Sequence, residues 1–196
     1  MRSHPKKPRE LLVVVDMVRG FIETGPLSDP AISTIIDENV ELIKEFTERG
    51  QSVVAFRDAH AVDSKEFDFY PPHCIDGTVE SELVAAIKAY EDRMVVVEKD
   101  TTNGFLSDGF QRFIKENEPF DRIVVTGCCT DICVLQFALT MKTYLQQAKL
   151  DTKMIVVEDA VETFDLPGHP RDEFNGFSFK LMRSAGIEIL PHLERE

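Results

Sequence analysis

Val124 to Leu135 reads VVTGCCTDICVL. The apolar run Ile123–Val125 has the character of a buried strand, Gly127 marks a tight turn, and Asp131 onward has the pattern of a helix start. Cys133 then falls in the first helical turn, where unpaired N–H groups and the positive end of the helix dipole favour a thiolate. A strand–turn–helix step ending on such a cysteine supplies a candidate nucleophile. A free cysteine is also a small apolar residue that packs readily into a core. What decides between the two readings is what stands at the ends of the other strands.

Working outward, short apolar runs predict five more strands, at Leu11–Val15, Ser52–Phe56, Met94–Val97, Lys153–Val157 and Ile187–Leu190, beside the one at Arg122–Val125. Between them, helical spacing predicts helices over Ile32–Arg49, Val79–Tyr90, within Gly104–Glu116, and over Asp131–Gln147 and Asp172–Ser184. This alternation predicts an α/β fold of three layers, Rossmann-like, with a six-stranded, mostly parallel sheet and helices on both faces. In such sheets ligands bind beyond the carboxyl ends of the strands. Asp16, Asp58, Lys99 and the Cys128–Cys133 turn all follow predicted strands closely, so residues far apart in sequence should converge on one edge.

The chain has 196 residues and a formal net charge of −13. Its length suits one domain, taken as residues 9–196, with Met1–Pro8 as a mobile tail. The acidic balance argues against nucleic acid or an anionic membrane as the main partner. No apolar run approaches a bilayer span, and the basic N-terminus lacks the long apolar segment of a signal peptide. Three of the four cysteines crowd into six positions, unlike a secreted disulfide framework. A reducing cytoplasm is the expected setting.

A cysteine nucleophile needs a base and a stabilising charge. Asp16, following five apolar residues, is the candidate base, with a pKa that partial burial would raise. Lys99 is the candidate cation, and the Cys129 and Cys133 amides are the candidate oxyanion hole. An ordinary Asp16–Lys99 ion pair is the plainer alternative. Asp58 and the long Ala59–Thr78 loop after it carry a second group: Asp58, His60, Glu66 and His73 are all ligand types for a borderline divalent metal, and a polar loop whose histidines bind nothing is the plainer alternative. Asp58 and His60, two apart, share one side of an extended segment. Phe21, Phe67, Phe69, Tyr70 and Phe105 are candidates for an apolar pocket wall or for core, while His4, His169 and His192 read as solvated or local.

These motifs stand as Asp16-Met17-Val18-Arg19-Gly20-Phe21, Arg57-Asp58-Ala59-His60, Pro71-Pro72-His73-Cys74-Ile75-Asp76-Gly77-Thr78, Lys99, and Gly127-Cys128-Cys129-Thr130-Asp131-Ile132-Cys133-Val134. Together they resemble the cysteine hydrolases of the isochorismatase-like superfamily, from Leu11 to about Leu190, and within it the nicotinamidases. The resemblance implies a Cys133–Asp16–Lys99 triad and a cis peptide between Cys128 and Cys129. It further implies a divalent metal (zinc first, iron or manganese next) held at Asp58, His60 and His73, with Glu66 matching a further ligand in some members. Phe21, Tyr70 and Cys129 are the implied substrate contacts. The implied partner is a small amide, nicotinamide, and a homo-oligomer is compatible with the pattern. Val18, Ala59, Thr102 and Asn103 depart from the usual residues around these motifs but leave the triad and ligands intact. The competing readings are a carbamoyl or other amide hydrolase of the superfamily, a silent binding protein on the same fold, and a redox or metal-storage role for the cysteines.

Overall fold

The computed structural model describes residues 8–194. The tail expected over Met1–Pro8, and His4 with it, lies outside the described residues except for Pro8. The chain runs β1 (Glu10–Val15), α1 (Arg19–Ile22), α2 (Ile36–Glu48), β2 (Ser52–Asp58), α3 (Ala85–Lys88), β3 (Val95–Lys99), α4 (Asp108–Asn117), β4 (Arg122–Cys128), α5 (Leu135–Ala148), β5 (Lys153–Glu162), α6 (Arg171–Ser184) and β6 (Glu188–Leu190).

The six strands form one sheet in the order β3-β2-β1-β4-β5-β6, and every neighbouring pair is parallel. Chain order reverses between β1 and β4, the switch point at which doubly wound sheets open a crevice. The residues after those two strands are Asp16 and Cys129. β1 is buried along its whole length, and its side chains alternate between two cores. Leu11, Val13 and Val15 join Phe110, Phe137, Met141 and Phe179 from α4, α5 and α6. Leu12 and Val14 join Leu42, Ile43, Phe46 and Ile87 from α2 and α3. A sheet covered on both faces needs such continuous apolar strands.

Gly127 shows how tightly β1 and β4 approach. Its φ is +101°, and a Cβ there would lie 2.0 Å from the Val15 carbonyl oxygen. Only glycine fits both conditions.

The helix expected over Val79–Tyr90 is reduced to α3. Residues 82–84 are instead engaged by the segment after β1: Arg19 N–H donates to Glu82 O, Val84 N–H donates to Met17 O, and Val18 pairs with Leu83 as an antiparallel bridge. These tertiary backbone bonds satisfy groups that a helix would have needed. The other helices start or end within a few residues of expectation, and α1 adds one turn between β1 and the first expected helix. Among the described residues no helix is long and apolar enough to cross a membrane.

Candidate active site

Asp16 follows β1, Lys99 ends β3, and Cys133 lies in the turn Thr130–Val134 between β4 and α5. That turn is a wide π-type turn rather than the first α-turn expected from the sequence. Lys99 Nζ joins the group. It lies 2.8 Å from Asp16 Oδ2, 2.6 Å from Asp58 Oδ1 and 3.9 Å from Cys133 Sγ, and it donates to Thr101 O at 3.0 Å. Asp16 and Lys99 are buried, and Cys133 is 6% exposed.

The Asp16 backbone is held at φ +48°, a region Asp tolerates better than most residues. Its N–H donates to Phe56 O, and its carbonyl accepts from Val18 N–H and from the Cys128 thiol. Its carboxylate, by contrast, has ion-pair contact with Lys99 but no hydrogen bond of good geometry among the described residues. Burial pushes the Asp16 pKa up, Lys99 pulls it down and Asp58 pushes it up, and the balance stands at about 6. Burial also pushes the Cys133 thiol well above its ordinary range, with Lys99 opposing. Cys133 is thus a buried thiol that depends on a neighbouring base to become a nucleophile. Burial works against the Lys99 charge, but Asp16 and Asp58 outweigh it and hold the ammonium firmly protonated.

The second group sits against the first through Asp58. His60 N–H donates to Cys74 O and Asp76 N–H donates to His60 O, so the two arms of the long loop pair side by side. This pairing brings His73 beside His60. The ligand atoms of Asp58, His60 and His73 all lie within 4.8 Å of one another. His60 Nε2 is 2.9 Å and His73 Nε2 is 3.3 Å from Asp58 Oδ2.

The outer ring nitrogens are also engaged. His73 Nδ1 donates to Pro71 O at 2.8 Å, and His60 Nδ1 lies 2.8 Å from Asp100 Oδ1. Such partners fix imidazole orientation and leave each Nε2 facing the centre, the arrangement a divalent cation needs. Burial lowers the His60 pKa, but Asp58 and Asp100 outweigh it and raise it. Glu66 stands beside this trio: its Oε2 is 3.5 Å from His60 Nε2, and its Oε1 accepts from Thr102 N–H.

A cavity of about 470 Å³ opens onto both groups. Phe21, Tyr70, Cys129, Cys133, Asp58, Glu66, His73 and Lys99 all line it. Phe21 approaches the His73 ring at 5.7 Å, and burial raises the Tyr70 hydroxyl. The remaining aromatic candidates divide. Phe67 packs against the His60 and His73 rings, Phe69 is 90% exposed, and Phe105 belongs to the core with Phe110 and Tyr144. Cys128 and Cys129 are joined by a cis peptide. The four cysteines are free and buried.

The sequence pattern does not point to the far wall. Pro26–Pro30 and Phe164–Leu166 close that side of the cavity. Asp29 clasps the two segments: its Oδ2 accepts from Asp165 N–H and from Arg171 Nη2, each at 3.0 Å. No local spacing could reveal a pair 142 positions apart. His169, which read as solvated or local, is 2.8 Å from Asp131 Oδ2 instead.

The isochorismatase domain family model matches residues 10–191. Nicotinamidase 1 of Arabidopsis thaliana is 40% identical over 196 residues, which cover 90% of this chain and 80% of that protein. Among solved structures, a nicotinamidase of Bacillus subtilis is 26% identical with a TM-score of 0.79, covering 93% of this chain and 99% of its own. A pyrazinamidase of Pyrococcus horikoshii in complex with zinc is 27% identical with a TM-score of 0.77, at the same coverages.

Proposed function

The chain belongs to the isochorismatase domain family, and on that footing we propose that it is a metal-dependent amidase that hydrolyses nicotinamide to nicotinate and ammonia, a step of NAD salvage. The observation that carries this reading is the single ammonium of Lys99. It contacts Asp16 and Asp58 at once and lies 3.9 Å from Cys133 Sγ, so one side chain joins a thiol, a buried base and a three-residue cation group beside a cavity that Cys133, Lys99, Asp58 and His73 line. The 40% identity to a plant nicotinamidase supports the substrate.

In the proposed reaction Asp16, ionised above about pH 6, takes the Cys133 proton. The Sγ–C bond forms at the carboxamide carbon, and the Cys129 and Cys133 amides stabilise the oxyanion. Asp16 returns the proton to the departing nitrogen, the C–N bond breaks, and ammonia leaves a thioester on Cys133. Asp16 then takes a proton from water, whose oxygen attacks the thioester carbon. Nicotinate leaves, and the proton passes to Cys133 Sγ. Lys99 keeps Asp16 from becoming too basic and lies close enough to stabilise the developing thiolate.

Asp58, His60 and His73 would hold the cation, with Glu66 beside them. Two imidazoles and a carboxylate that leave room for an exogenous ligand suit zinc. When bound, it supplies a Lewis-acid anchor for the pyridine nitrogen. Phe21 and Tyr70 would flank the ring.

A carboxylate-bearing carbamoyl substrate fits less well. Lys99 is the one lysine or arginine among the described lining, and it is already committed to two carboxylates. Release of ammonia and nicotinate from nicotinamide by the purified protein, absent with Cys133→Ala, is the expected result. A folded, zinc-loaded protein that releases neither refutes the reading.

A further inference from the structure

Asp131 lies two residues before Cys133 in the Thr130–Val134 turn and is not one of the reacting groups. Both of its oxygens are held. Thr163 Oγ1 donates to Oδ1 at 2.5 Å, and His169 Nε2 lies 2.8 Å from Oδ2. Thr163 is fully buried, and the His169 side chain is 15% exposed.

His169 is itself fixed on every side. Its ring is stacked between Phe164 and Phe174, with centroids at 3.9 and 3.6 Å and planes within 12° and 28°. Its Nδ1 lies 3.1 Å from Phe164 O. Both ring nitrogens therefore face acceptors, and Nε2 is the one that faces the Asp131 carboxylate. The main chain closes around it: Leu166 and His169 exchange two N–H···O bonds, and Gly168 at φ +86° supplies the turn. Arg171 Nε donates to Thr163 O and ties the base of the same loop.

This is more fixing than a surface loop needs, and it leads to two places. One is the nucleophile turn, through Asp131. The other is the cavity wall, because Phe164 and Leu166 line it. We propose that His169 is a positioning residue that anchors Asp131, and through it the turn that aims Cys133 Sγ, to the loop walling the substrate cavity. Without the His169 bond, Asp131 keeps one tether, and the turn can rotate Cys133 away from Asp16 and Lys99. The proposal rests on Cys133 as the nucleophile and adds a residue 36 positions downstream that keeps it beside its base.

Two substitutions separate hydrogen bonding from packing. His169→Phe keeps a ring in the aromatic sandwich and removes the donor to Asp131. His169→Gln loses the ring but places an N–H near the original Nε2. Each is read by the rate of Cys133 alkylation with iodoacetamide, located by peptide mass mapping, and by kcat and KM on nicotinamide.

We expect His169→Phe to slow alkylation and kcat about tenfold with KM within about threefold, and His169→Gln to stay within about threefold on all three. His169→Phe at wild-type rates, or equal losses in both variants, overturns the proposal and leaves His169 as packing alone. If His169→Phe does not fold, His169→Leu removes the same donor with a smaller side chain between the two phenylalanines. Alkylation slowed in His169→Leu but not in His169→Gln supports the anchor, and an unchanged rate in His169→Leu overturns it. Alkylation does not require nicotinamide to be the substrate. Intact anchoring in the alkylation assay with no hydrolysis by any form would refute the substrate and not the anchor.

Discussion

Lys99→Met should destabilise the metal-free protein by about 3–5 kcal/mol at pH 8, the usual consequence of removing one partner from a buried charge group. The Lys99 side chain is 2% exposed, and its Nζ compensates two carboxylates whose side chains are 0% and 2% exposed. Methionine fills the space but leaves Asp16 and Asp58 facing each other without a cation. The deficit should depend on pH in a definite direction. The folded-state pKa of Asp58 lies below its ordinary value, with burial raising it but Lys99, His60 and His73 prevailing, so its ionised form contributes stability that is lost as pH falls. Asp16 is the opposite case: its pKa is raised to about 6, so its ionisation costs stability above that pH, and losing Lys99 makes the cost larger. Without Lys99 the Asp16 pKa lies above 6, so the Lys99→Met deficit should be largest at alkaline pH and shrink as pH falls toward 6, where Asp16 of the variant has already taken up its proton. Urea unfolding after dialysis against a chelator, at several pH values, measures it. Against a typical total stability of about 5–15 kcal/mol, the loss is easily resolved. A deficit under about 1 kcal/mol, or one that grows on acidification, would refute the reasoning about this charge group.

Asp16→Asn should lose about a thousandfold or more in kcat/KM, and the wild-type kcat/KM should fall about tenfold per pH unit once Asp16 is protonated, about pH 6 in the metal-free protein and lower with a cation at Asp58; an Asp16→Asn variant within about tenfold of wild type contradicts Asp16 as base. Asp58→Asn and His73→Ala should each weaken zinc binding by more than about a hundredfold in calorimetry, with Asp100→Asn weakening it less, by about tenfold through His60 Nδ1. Unchanged affinity in all three would remove the metal from the account. Gly127→Ala should cost at least about 3 kcal/mol, because its Cβ would meet the β1 backbone at a φ of +101°, and denaturation within about 1 kcal/mol of wild type contradicts that packing.

The strand-end residues were legible because a parallel sheet turns sequence position into spatial convergence. Asp16, Asp58, Lys99 and Cys133 each follow or end an apolar run, and the topology places β1, β2, β3 and β4 side by side. Asp58, His60, Glu66 and His73 stood out by residue type, but it was the resemblance that made them a ligand set, and the backbone pairing of His60 with the Cys74–Asp76 segment was not legible at all.

What stayed hidden depends on partners distant in sequence. The Val79–Tyr90 segment has a helix-like pattern, yet residues 82–84 bond to the chain after β1. Phe105 and Phe21 are both single aromatic residues near a strand end and both enter a core, and only packing decides that Phe21 also lines the cavity. Asp29 with Arg171, and Asp131 with His169, pair across long separations that no period or motif encodes.

Every step proposed for this site depends on Cys133 forming the bond to the substrate. Acid quenching during turnover of nicotinamide, followed by mass analysis of the Cys133 peptide, tests it most directly. A nicotinoyl group is expected on Cys133, absent when Cys133→Ala is used and accumulating when ammonia release outpaces thioester hydrolysis. Nicotinate production by Cys133→Ala at wild-type rate, or acylation at Cys129 instead, would contradict it.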